Sequence, residues 1–271
     1  MYALDFEYDG KLLSDFGFII CDFEKSDGSN MIDTGFNITF TKVSHNNGKS
    51  NSLVSTRYDQ CFQTTFSICK DPYEYSDLAI SNEEYRELVR WLNRNEFLKF
   101  RFVYDEEEVL PDSCYFNASF NIQNVKIDEM LYGLSLTMET DAPFGYGEAF
   151  EKTWTISSAG SSISFDDVSD EIGLIRPEIT IMCGANCNLV ISNNSFQSVM
   201  RINNCSNGET IHIDGDRQII STTLATHKIL NDFNFEFLCV GNNYNNRTNI
   251  ISISHPCTFT LKYYPIIKDI I

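Results

Sequence analysis

"SNEEYRELVRWLNRNEFLKFRF", residues 81–102, is the one stretch of the chain with a clear helical pattern. Ser81 and Glu84 form an S-x-x-E capping box, in which each side chain can pair with the free backbone N–H of the other residue. Apolar residues then recur at helical spacing, at Tyr85, Leu88, Val89 and Leu92. We predict a helix from Ser81 to about Asn95 that packs on a sheet, because a helix of about 14 residues is only marginally stable alone.

The rest of the first half alternates apolar and polar residues at period two, as β-strands do. The predicted strands are FGFIICDFE (16–24), FNITFTKV (36–43), QTTFSICK (63–70), FLKFRFVY (97–104), YFNASFNI (115–122) and YGLSLTME (132–139). The apolar residues that share a face are Phe36, Ile38 and Phe40, then Leu98, Phe100, Phe102 and Tyr104, then Leu134, Leu136 and Met138. The polar stretches 44–52 and 104–113 are predicted to be a hairpin tip and an acidic turn.

A change in composition after residue 140 marks the predicted domain boundary. Pro143, Gly145 and Gly147 interrupt regular structure, and residues 145–162 are rich in Ser and Gly. We predict a linker in this region, with Trp154 inside it. It would join a domain of residues 1–150 to a domain of residues 151–271.

The second half contains short strand candidates and almost no helical pattern. The eight candidates are PEITIMCG (177–184), CNLVIS (187–192), SVMRIN (198–203), ETIHID (209–214), RQIIST (217–222), NFEFLCVG (234–241), NIISIS (249–254) and CTFTLKYY (257–264). Turn signals separate them at intervals of about 10 residues, and Asn207-Gly208 and Asp214-Gly215 tolerate the positive φ that tight hairpins need. The sequence therefore predicts a mainly β chain with one helix, whose second half is a β-sandwich or jelly roll.

The charge of the chain limits the classes of partner. Its formal net charge is −18, and its 20 Lys and Arg residues are scattered. Nucleic acid and membrane surfaces are not expected as partners, because binding to polyanions requires clustered cations. No secretory signal and no membrane-spanning run is visible, so we expect production in the cytoplasm. In that reducing compartment the nine cysteines are expected to act as small buried hydrophobes.

The sequence offers no catalytic motif: it contains no G-x-S-x-G, no P-loop and no G-x-G-x-x-G. The four histidines, His45, His212, His227 and His255, form no metal-binding array. Cys183 and Cys187 are close in sequence, but no second pair stands at zinc spacing. We therefore expect no catalytic residue, no cofactor and no metal, and the sequence leaves the binding residues unassigned.

Three weaker site candidates each have a simpler explanation. The acidic stretch DDVSDE (166–171) lacks the spacing of a calcium loop and is predicted to be a solvated loop. D-G-D within HIDGDR (212–217) is predicted to be a β-turn rather than an ion site. Tyr263 and Tyr264 could stack on sugar rings, but we assign them to the last strand.

Four segments resemble the distal tail proteins (Dit) of siphophages. FEYDGKLLSDFGFIICDFE resembles the opening of that family, and EEYRELVRWLNRNEFLKFRF resembles its helix and the strand that follows. YGLSLTMETDAPFGY is similar to the segment that ends the family's first domain. GETIHIDGDRQII and FLCVGNNYNNRTNIISI are similar to paired turns of its C-terminal domain.

The resemblance implies a structural role at a phage tail tip. In this family the N-terminal domain is a tail-tube-like β-sandwich with one helix, six copies form a ring, and the C-terminal domain is a galectin-like β-sandwich. The ring joins the tail tube protein above to the tail-tip (tail-associated) protein below, and in many phages it carries the receptor-binding protein. The implied location is the virion, after synthesis in the host cytoplasm or from a prophage. At 271 residues the chain has no room for an inserted carbohydrate-binding module.

Two alternatives remain open from the sequence. In the first, the C-terminal sandwich is a glycan-binding, lectin-like module that acts in host recognition. In the second, the chain is an enzyme with an unrecognised pair of carboxylates, such as a glycosidase. Because 38 Asp and Glu residues are present, no particular pair can be selected.

Overall fold

The computed structural model describes residues 5–23, 38–45, 50–58, 61–103, 114–243 and 245–268. The fold is mainly β, as predicted. The chain divides into two compact units, one that ends at Tyr146 and includes Lys268, and one formed by Gly147–Ile267. Phe36, Tyr104, the acidic turn at 104–113 and the tip of the predicted hairpin at 46–49 lie outside the described residues.

The first unit is built on one antiparallel sheet. The strands of the first unit, of which seven form this sheet, are β1 (Asp5–Tyr8), β2 (Lys11–Leu12), β3 (Phe18–Cys21), β4 (Ile38–His45), β5 (Ser50–Tyr58), β6 (Gln63–Lys70), β7 (Leu98–Val103), β8 (Phe116–Ile127), β9 (Met130–Thr140) and β10 (Gly145–Tyr146). The seven-stranded sheet has the order β2-β1-β7-β8-β9-β6-β3. Within the described residues, β4 and β5 pair with each other and with no other strand, as a separate two-stranded hairpin.

The predicted helix is present as α1 (Asn82–Leu92). Ser81 is its N-cap, and the capping box is complete: the Glu84 N–H donates to the Ser81 hydroxyl at 3.3 Å, and the Ser81 N–H donates to the Glu84 carboxylate at 2.7 Å. The helix ends three residues before the predicted Asn95, because Asn93 takes an extended conformation (φ −85°, ψ 92°).

Trp91 is the helix residue that the apolar pattern missed. It is buried together with Leu88 and Leu92, whereas Val89 is only half-buried. Its indole N–H donates to the Tyr8 carbonyl of β1 at 3.0 Å. Its ring stacks on Phe16, with centroids 4.4 Å apart, and Phe6 stacks on it from another side. Aromatic contacts of this kind stabilise a structure beyond the effect of the apolar area that they bury. Trp91 therefore adds to the packing that Leu88 and Leu92 provide between α1 and the sheet.

In the first unit, the faces on which apolar residues alternate are buried, with one exception. Leu134, Leu136 and Met138 are fully buried, and Phe100 lies in the same core. Ile38 and Phe40 share a face as predicted, but they are exposed because β4 lies outside the main sheet. The alternation therefore predicted the strand correctly, but it does not determine whether the shared face is covered.

The second unit is a β-sandwich. Its elements are β11 (Phe150–Ile156), β12 (Ser161–Asp166), β13 (Gly173–Ile175), β14 (Glu178–Cys183), β15 (Cys187–Asn193), β16 (Ser198–Cys205), β17 (Thr210–Asp214), β18 (Ile219–Thr222), α2 (Ile229–Asp232), β19 (Val240–Asn242), β20 (Thr248–Ile253), β21 (Cys257–Tyr263) and β22 (Ile266–Ile267). A five-stranded sheet, β11-β21-β14-β17-β18, faces a four-stranded sheet, β12-β20-β15-β16. Isoleucines such as Ile181, Ile191, Ile211 and Ile253 fill the core between them.

The predicted linker at 145–162 is wrong. β11 pairs along its whole length with β21, and β12 pairs with β20, so most of that window belongs to the sandwich. Trp154 lies opposite Phe259 in this register and packs against the core. Gly145 and Gly147 are buried, Ser157, Ser158 and Gly160 lie in the exposed turn between β11 and β12, and Ser161 and Ser162 belong to β12. A high content of Ser and Gly therefore did not indicate a flexible segment.

Two turn predictions need correction as well. Asn207-Gly208 does have a glycine with positive φ, 79° at Gly208, but the turn carries the chain from β16 in one sheet to β17 in the other and closes no hairpin. Asp214-Gly215 does close the β17–β18 hairpin, yet Gly215 has no positive φ. Glycine is required there because a Cβ atom would lie 2.6 Å from the Pro177 carbonyl oxygen. The short helix α2 was not predicted at all.

We expect the Leu92→Ala variant to lose about 2–5 kcal/mol in the free energy of unfolding of the first unit. Leu92 is fully buried against the sheet, so the truncation removes apolar contacts and leaves a cavity. Urea unfolding followed by Trp91 fluorescence, in a Trp154→Phe background, reports on this unit because the chain has only two tryptophans. Arg90→Ala, at an exposed position of the same helix, is the matched control and should cost little. Equal stability of the two variants would contradict the assigned helix face.

Candidate functional site

The hairpin of β4 and β5 is an exposed arm of the first unit. Its two strands pair from Ile38–Tyr58 to His45–Ser50, and a register shift next to Lys42 introduces a bulge. Neither strand pairs with the seven-stranded sheet. A lone two-stranded hairpin is at best marginally stable in water, so this arm is expected to gain stability from a partner.

The arm also exposes apolar side chains. Leu53 is 58% exposed and Val54 is 60% exposed. The other exposed large apolar residues of the hairpin are Ile38, Phe40 and Val43. A cluster of apolar side chains on a projecting element is typical of a protein–protein interface, because leaving it in water is unfavourable. We call these five residues the arm surface.

The second unit carries an open groove of about 330 Å³. The residues that line it are Arg176, Gln197, Ser198, Val199, Gln218, Phe235, Glu236, Phe237 and Cys239. They come from the loop between β13 and β14, the start of β16 and the residue before it, the turn before β18, and the loop after α2. The groove thus offers two amides, a guanidinium, a carboxylate and the exposed ring of Phe235.

Three of the groove residues have a strained backbone. Gln197, Gln218 and Phe235 have φ values of 55°, 56° and 57°, a left-handed conformation that costs free energy for residues other than glycine. The three residues lie in three different connecting segments of the chain, and all of them line the groove. Because such strain tends to concentrate at ligand sites, its occurrence three times around one groove makes this a candidate binding site.

Arg176 is the cationic group of the groove. Burial and the nearby Asp214 raise the pKa of Asp216, and the Arg176 guanidinium opposes that shift. Burial also raises the pKa of the Cys239 thiol, although a hydrogen bond with Arg176 works in the opposite direction. Arg176 therefore lies close to both Asp216 and Cys239 and supplies the positive charge of the groove lining.

The acidic stretch 166–171 is only in part the solvated loop that was predicted, because exposed residues alternate with buried ones. Asp167 and Ser169 are buried. The Asp167 carboxylate accepts hydrogen bonds from the Tyr263 hydroxyl at 2.9 Å, the Ser169 hydroxyl at 2.9 Å and the Asn242 amide at 2.5 Å. Burial and the neighbouring Asp167 carboxylate raise the pKa of Tyr263, so that its hydroxyl remains a donor. The carboxylate is thus saturated by protein donors, which explains its burial without a cation.

A second buried polar cluster contains His227, a residue that sequence spacing did not connect with any partner. The His227 Nδ1 atom lies 2.5 Å from the Glu209 carboxylate, which also accepts from the Thr222 hydroxyl and from the Ser206 N–H. Its Nε2 atom lies 3.4 Å from the Asp232 carboxylate of α2. Burial alone would raise the pKa of Glu209, but the hydrogen bonds from Thr222, His227 and Ser206 outweigh it and lower the pKa. The cluster ties α2 to β17 and β18.

The other predicted candidates occupy ordinary structural positions. Asp214 and Arg217 close the β17–β18 turn, in which the Arg217 N–H donates to the Asp214 carboxylate at 2.9 Å. Tyr263 is buried in β21, and Tyr264 follows that strand and is exposed. Within the described residues, no group of three or more His, Cys, Asp or Glu side chains is arranged to hold a metal ion. No helix in the described ranges has both the length and the apolar character needed to cross a membrane.

Comparison with known proteins identifies the family. Residues 1–142 match the model of a phage tail protein N-terminal domain, and residues 144–263 match the model of a phage tail C-terminal domain. No curated protein matches the chain in sequence. The chain therefore belongs to this family of phage tail proteins.

A solved structure of a phage tail protein shares the fold of nearly the whole chain. The crystal structure of SPP1 Dit (gp 19.1), described as a paradigm of the hub adsorption apparatus in phages that infect Gram-positive bacteria, superposes with a TM-score of 0.64. The match covers 97% of this chain and 99% of that chain at 12% sequence identity, so it establishes a common fold. The predicted resemblance to the Dit family is confirmed.

The sandwich is expected to lose stability in acid through Glu209. Its pKa is lowered in the folded state, so its contribution is present above the unfolded-state value of about 4.3 and is lost as pH falls below it. Urea unfolding of a Trp91→Phe variant, in which only Trp154 fluoresces, should show this loss between about pH 5 and pH 3. Glu209→Gln should be less stable at pH 7 and should show a flatter acid dependence. An unchanged acid slope in that variant would contradict the assignment.

Proposed function

We propose that six copies of this chain form a ring at the tip of a phage tail, and that the ring joins the tail tube protein to the tail-tip protein. The membership of the phage tail family and the Dit fold support a structural tail role. The observation that carries the ring is the arm surface, which a single copy leaves uncovered. In this role the chain works through position and symmetry and has no enzymatic activity.

The occupant of the arm surface is a second copy of the chain. Each copy has both a projecting hairpin and a seven-stranded sheet whose outer strands, β2 and β3, have neighbours on one side only within the described residues. An arm of one copy that packs on the body of the next is a heterologous contact, and such contacts close into rings when the rotation between copies allows it. The same contact covers the apolar arm and protects open strand edges.

Charge opposes this assembly. Each copy has a formal charge of −18, so neighbouring subunits repel each other at low ionic strength. Screening at physiological salt limits this repulsion to about 8 Å. Ring formation should therefore strengthen with added salt, whereas a contact held mainly by ion pairs would weaken.

The second unit is proposed to face outward and to bind another tail protein or the receptor-binding protein. Its sandwich has broad exposed sheet faces, and we propose that it folds independently as a galectin-like domain. The division of the chain between Tyr146 and Gly147 supports a domain boundary at the start of the former linker window, before β11.

We expect the purified chain to be a hexamer, or a monomer that becomes a hexamer at high protein concentration, at high salt or with its tail-tip partner. Size-exclusion chromatography with light scattering measures the mass. The double variant Leu53→Ser, Val54→Ser should remain monomeric under conditions in which the wild type assembles, because it removes the most exposed apolar residues of the arm.

Tyr73→Ser provides the matched control for the arm. Tyr73 is the most exposed aromatic side chain described, lies outside the hairpin, and should be replaceable without loss of the ring. A wild-type chain that stays monomeric at every salt and protein concentration, with the tail-tip protein present, would refute the proposal. So would assembly that the arm variant does not weaken.

A second candidate function is glycan binding by the groove of the second unit. The groove combines hydrogen-bonding amides and charges with an exposed aromatic ring, the mixture that binding sites for sugars use to hold hydroxyl groups and to stack on a ring. The strained backbone at Gln197, Gln218 and Phe235 is the specific observation in its favour. The fold by itself is no argument for it.

Titration of a fragment of residues 147–268 with host wall polysaccharide distinguishes the two functions. The structural proposal predicts no saturable binding. Saturable binding with a Kd in the micromolar range that Phe235→Ala abolishes, and that Tyr264→Ala leaves intact, would establish the glycan-binding function. Tyr264 is the matched control because it is an exposed aromatic residue of the same unit that does not line the groove.

A further inference from the structure

Four cysteines from four different strands meet in the second unit. Cys183 ends β14, Cys187 begins β15, Cys205 ends β16 and Cys257 begins β21. Cys183, Cys205 and Cys257 are buried, whereas Cys187 is half-buried. Two of these strands belong to each sheet, so the four thiols lie at one end of the sandwich.

Strand register places the thiols in pairs. Cys187 is directly opposite Cys205 on the antiparallel strands β15 and β16. Cys183 is directly opposite Cys257 on β14 and β21. The Cys205 Sγ atom donates to the Ile202 carbonyl at 3.4 Å. The Cys183 thiol of the facing sheet and burial raise the pKa of Cys205, and burial and the Cys205 thiol raise the pKa of Cys187. Directly opposed residues of antiparallel strands have Cα atoms about 4.5–5.5 Å apart, which is within the range that a disulfide spans.

We propose that Cys187 and Cys205 are a redox pair that forms a disulfide with a low-molecular-weight disulfide oxidant, and that Cys205 is the resolving thiol. Cys187 is the entry point because it is the most accessible member of the cluster. Cys205 is only 2% exposed and reacts by attack from within the protein.

The reaction proceeds in two exchange steps. The Cys187 thiolate attacks one sulfur of the oxidant, which releases one small thiolate and leaves a mixed disulfide on Cys187. The Cys205 thiolate then attacks the Cys187 sulfur and releases the second small thiol. The protein loses two hydrogen atoms with two electrons, and the oxidant is reduced to two thiols.

The surroundings of Cys187 keep this reaction slow at neutral pH. Burial, the Cys205 thiol and the Glu209 carboxylate raise the pKa of Cys187 to about 11. Burial raises the pKa of Cys257 to about 11 as well. Because the thiolate is the attacking species, the rate of disulfide formation should rise about tenfold per pH unit between pH 7 and pH 9.

The proposed location of the chain in a virion determines when the thiols meet an oxidant. A tail protein made in a reducing compartment meets oxidants after release, and a disulfide formed at that stage restrains the chain between β15 and β16 without interfering with folding. The chemistry itself is independent of the ring, so failure of one proposal leaves the other testable.

Incubation of the full chain with oxidised glutathione, in a Cys61→Ser background that removes an exposed thiol, tests the pair. Trypsin cleaves after Arg201 and so separates Cys205 from both Cys183 and Cys187. Peptide mapping without reduction should find the peptide that contains Cys187 linked to the peptide that contains Cys205. This link should form both in the parent and in a Cys183→Ser variant. Cys205→Ser should instead retain glutathione on Cys187.

A stability measurement accompanies the mapping. Formation of the bond should raise the melting temperature reported by Trp154 fluorescence by about 5–10 °C, an increase that reduction reverses. Unmodified thiols in the parent, a stable glutathione adduct without a linked peptide, or a link that is lost in Cys183→Ser would each overturn the proposal. A first product that joins Cys183 to Cys257 would overturn it as well.

Discussion

The hydrogen bond from the Trp91 indole to the Tyr8 carbonyl is the contact on which the first unit depends. It fixes the last turn of α1 to β1, and the stacked rings of Phe6 and Phe16 hold the indole plane in place. At the other end of the helix, Lys70 of β6 lies 2.8 Å from Glu84 of the capping box and donates to the Ala79 carbonyl. Burial would raise the pKa of Glu84, but Lys70 and Ser81 outweigh burial and lower it, so the ion pair persists at neutral pH. The helix is thus tied to two strands that lie far apart in the sheet, and it closes the core between them.

This arrangement explains how the chain can expose the arm surface without unfolding. The seven-stranded sheet and α1 bury a complete aromatic core of their own, so β4 and β5 are not needed to cover it. Their apolar residues are then available to a neighbour. In the proposed ring, the same side chains that would favour aggregation of a free chain become the inter-subunit contact, and the high negative charge keeps free copies apart until salt or a partner offsets it.

The sequence predicted those features that local chemistry determines. The capping box needs only Ser81 and Glu84, and the buried face of β9 needs only an alternation of residues, so both were predicted correctly. The helical pattern did not identify Trp91, because an apolar stripe that includes Val89 fits the helical period equally well. Which of the two residues is buried depends on the aromatic rings that the sheet presents to the helix. The environment of Phe40 could not be predicted, since alternation is the same whether a face is covered by the chain's own sheet or by another molecule. The clusters around Asp167 and His227 join residues that are far apart in the sequence, and a single sequence contains no information about such pairs.

Three asparagines of the second unit, Asn193, Asn242 and Asn249, have buried side chains that are paired with other polar groups. Asn249 accepts from the Gly241 N–H and donates to the Gly241 carbonyl, so its side chain pairs with backbone as a neighbouring strand would. Asn193 donates to Asn249 and to the Cys239 carbonyl, and Asn242 donates to Asp167. Asparagine suits this task because its side chain carries both a donor and an acceptor without a charge. The network connects Asn193 of β15, Asn242 of β19 and Asn249 of β20 with backbone and side-chain partners in the core. These buried amides stabilise the fold, while the exposed groove, the sheet faces and the half-buried Cys187 remain available to other molecules.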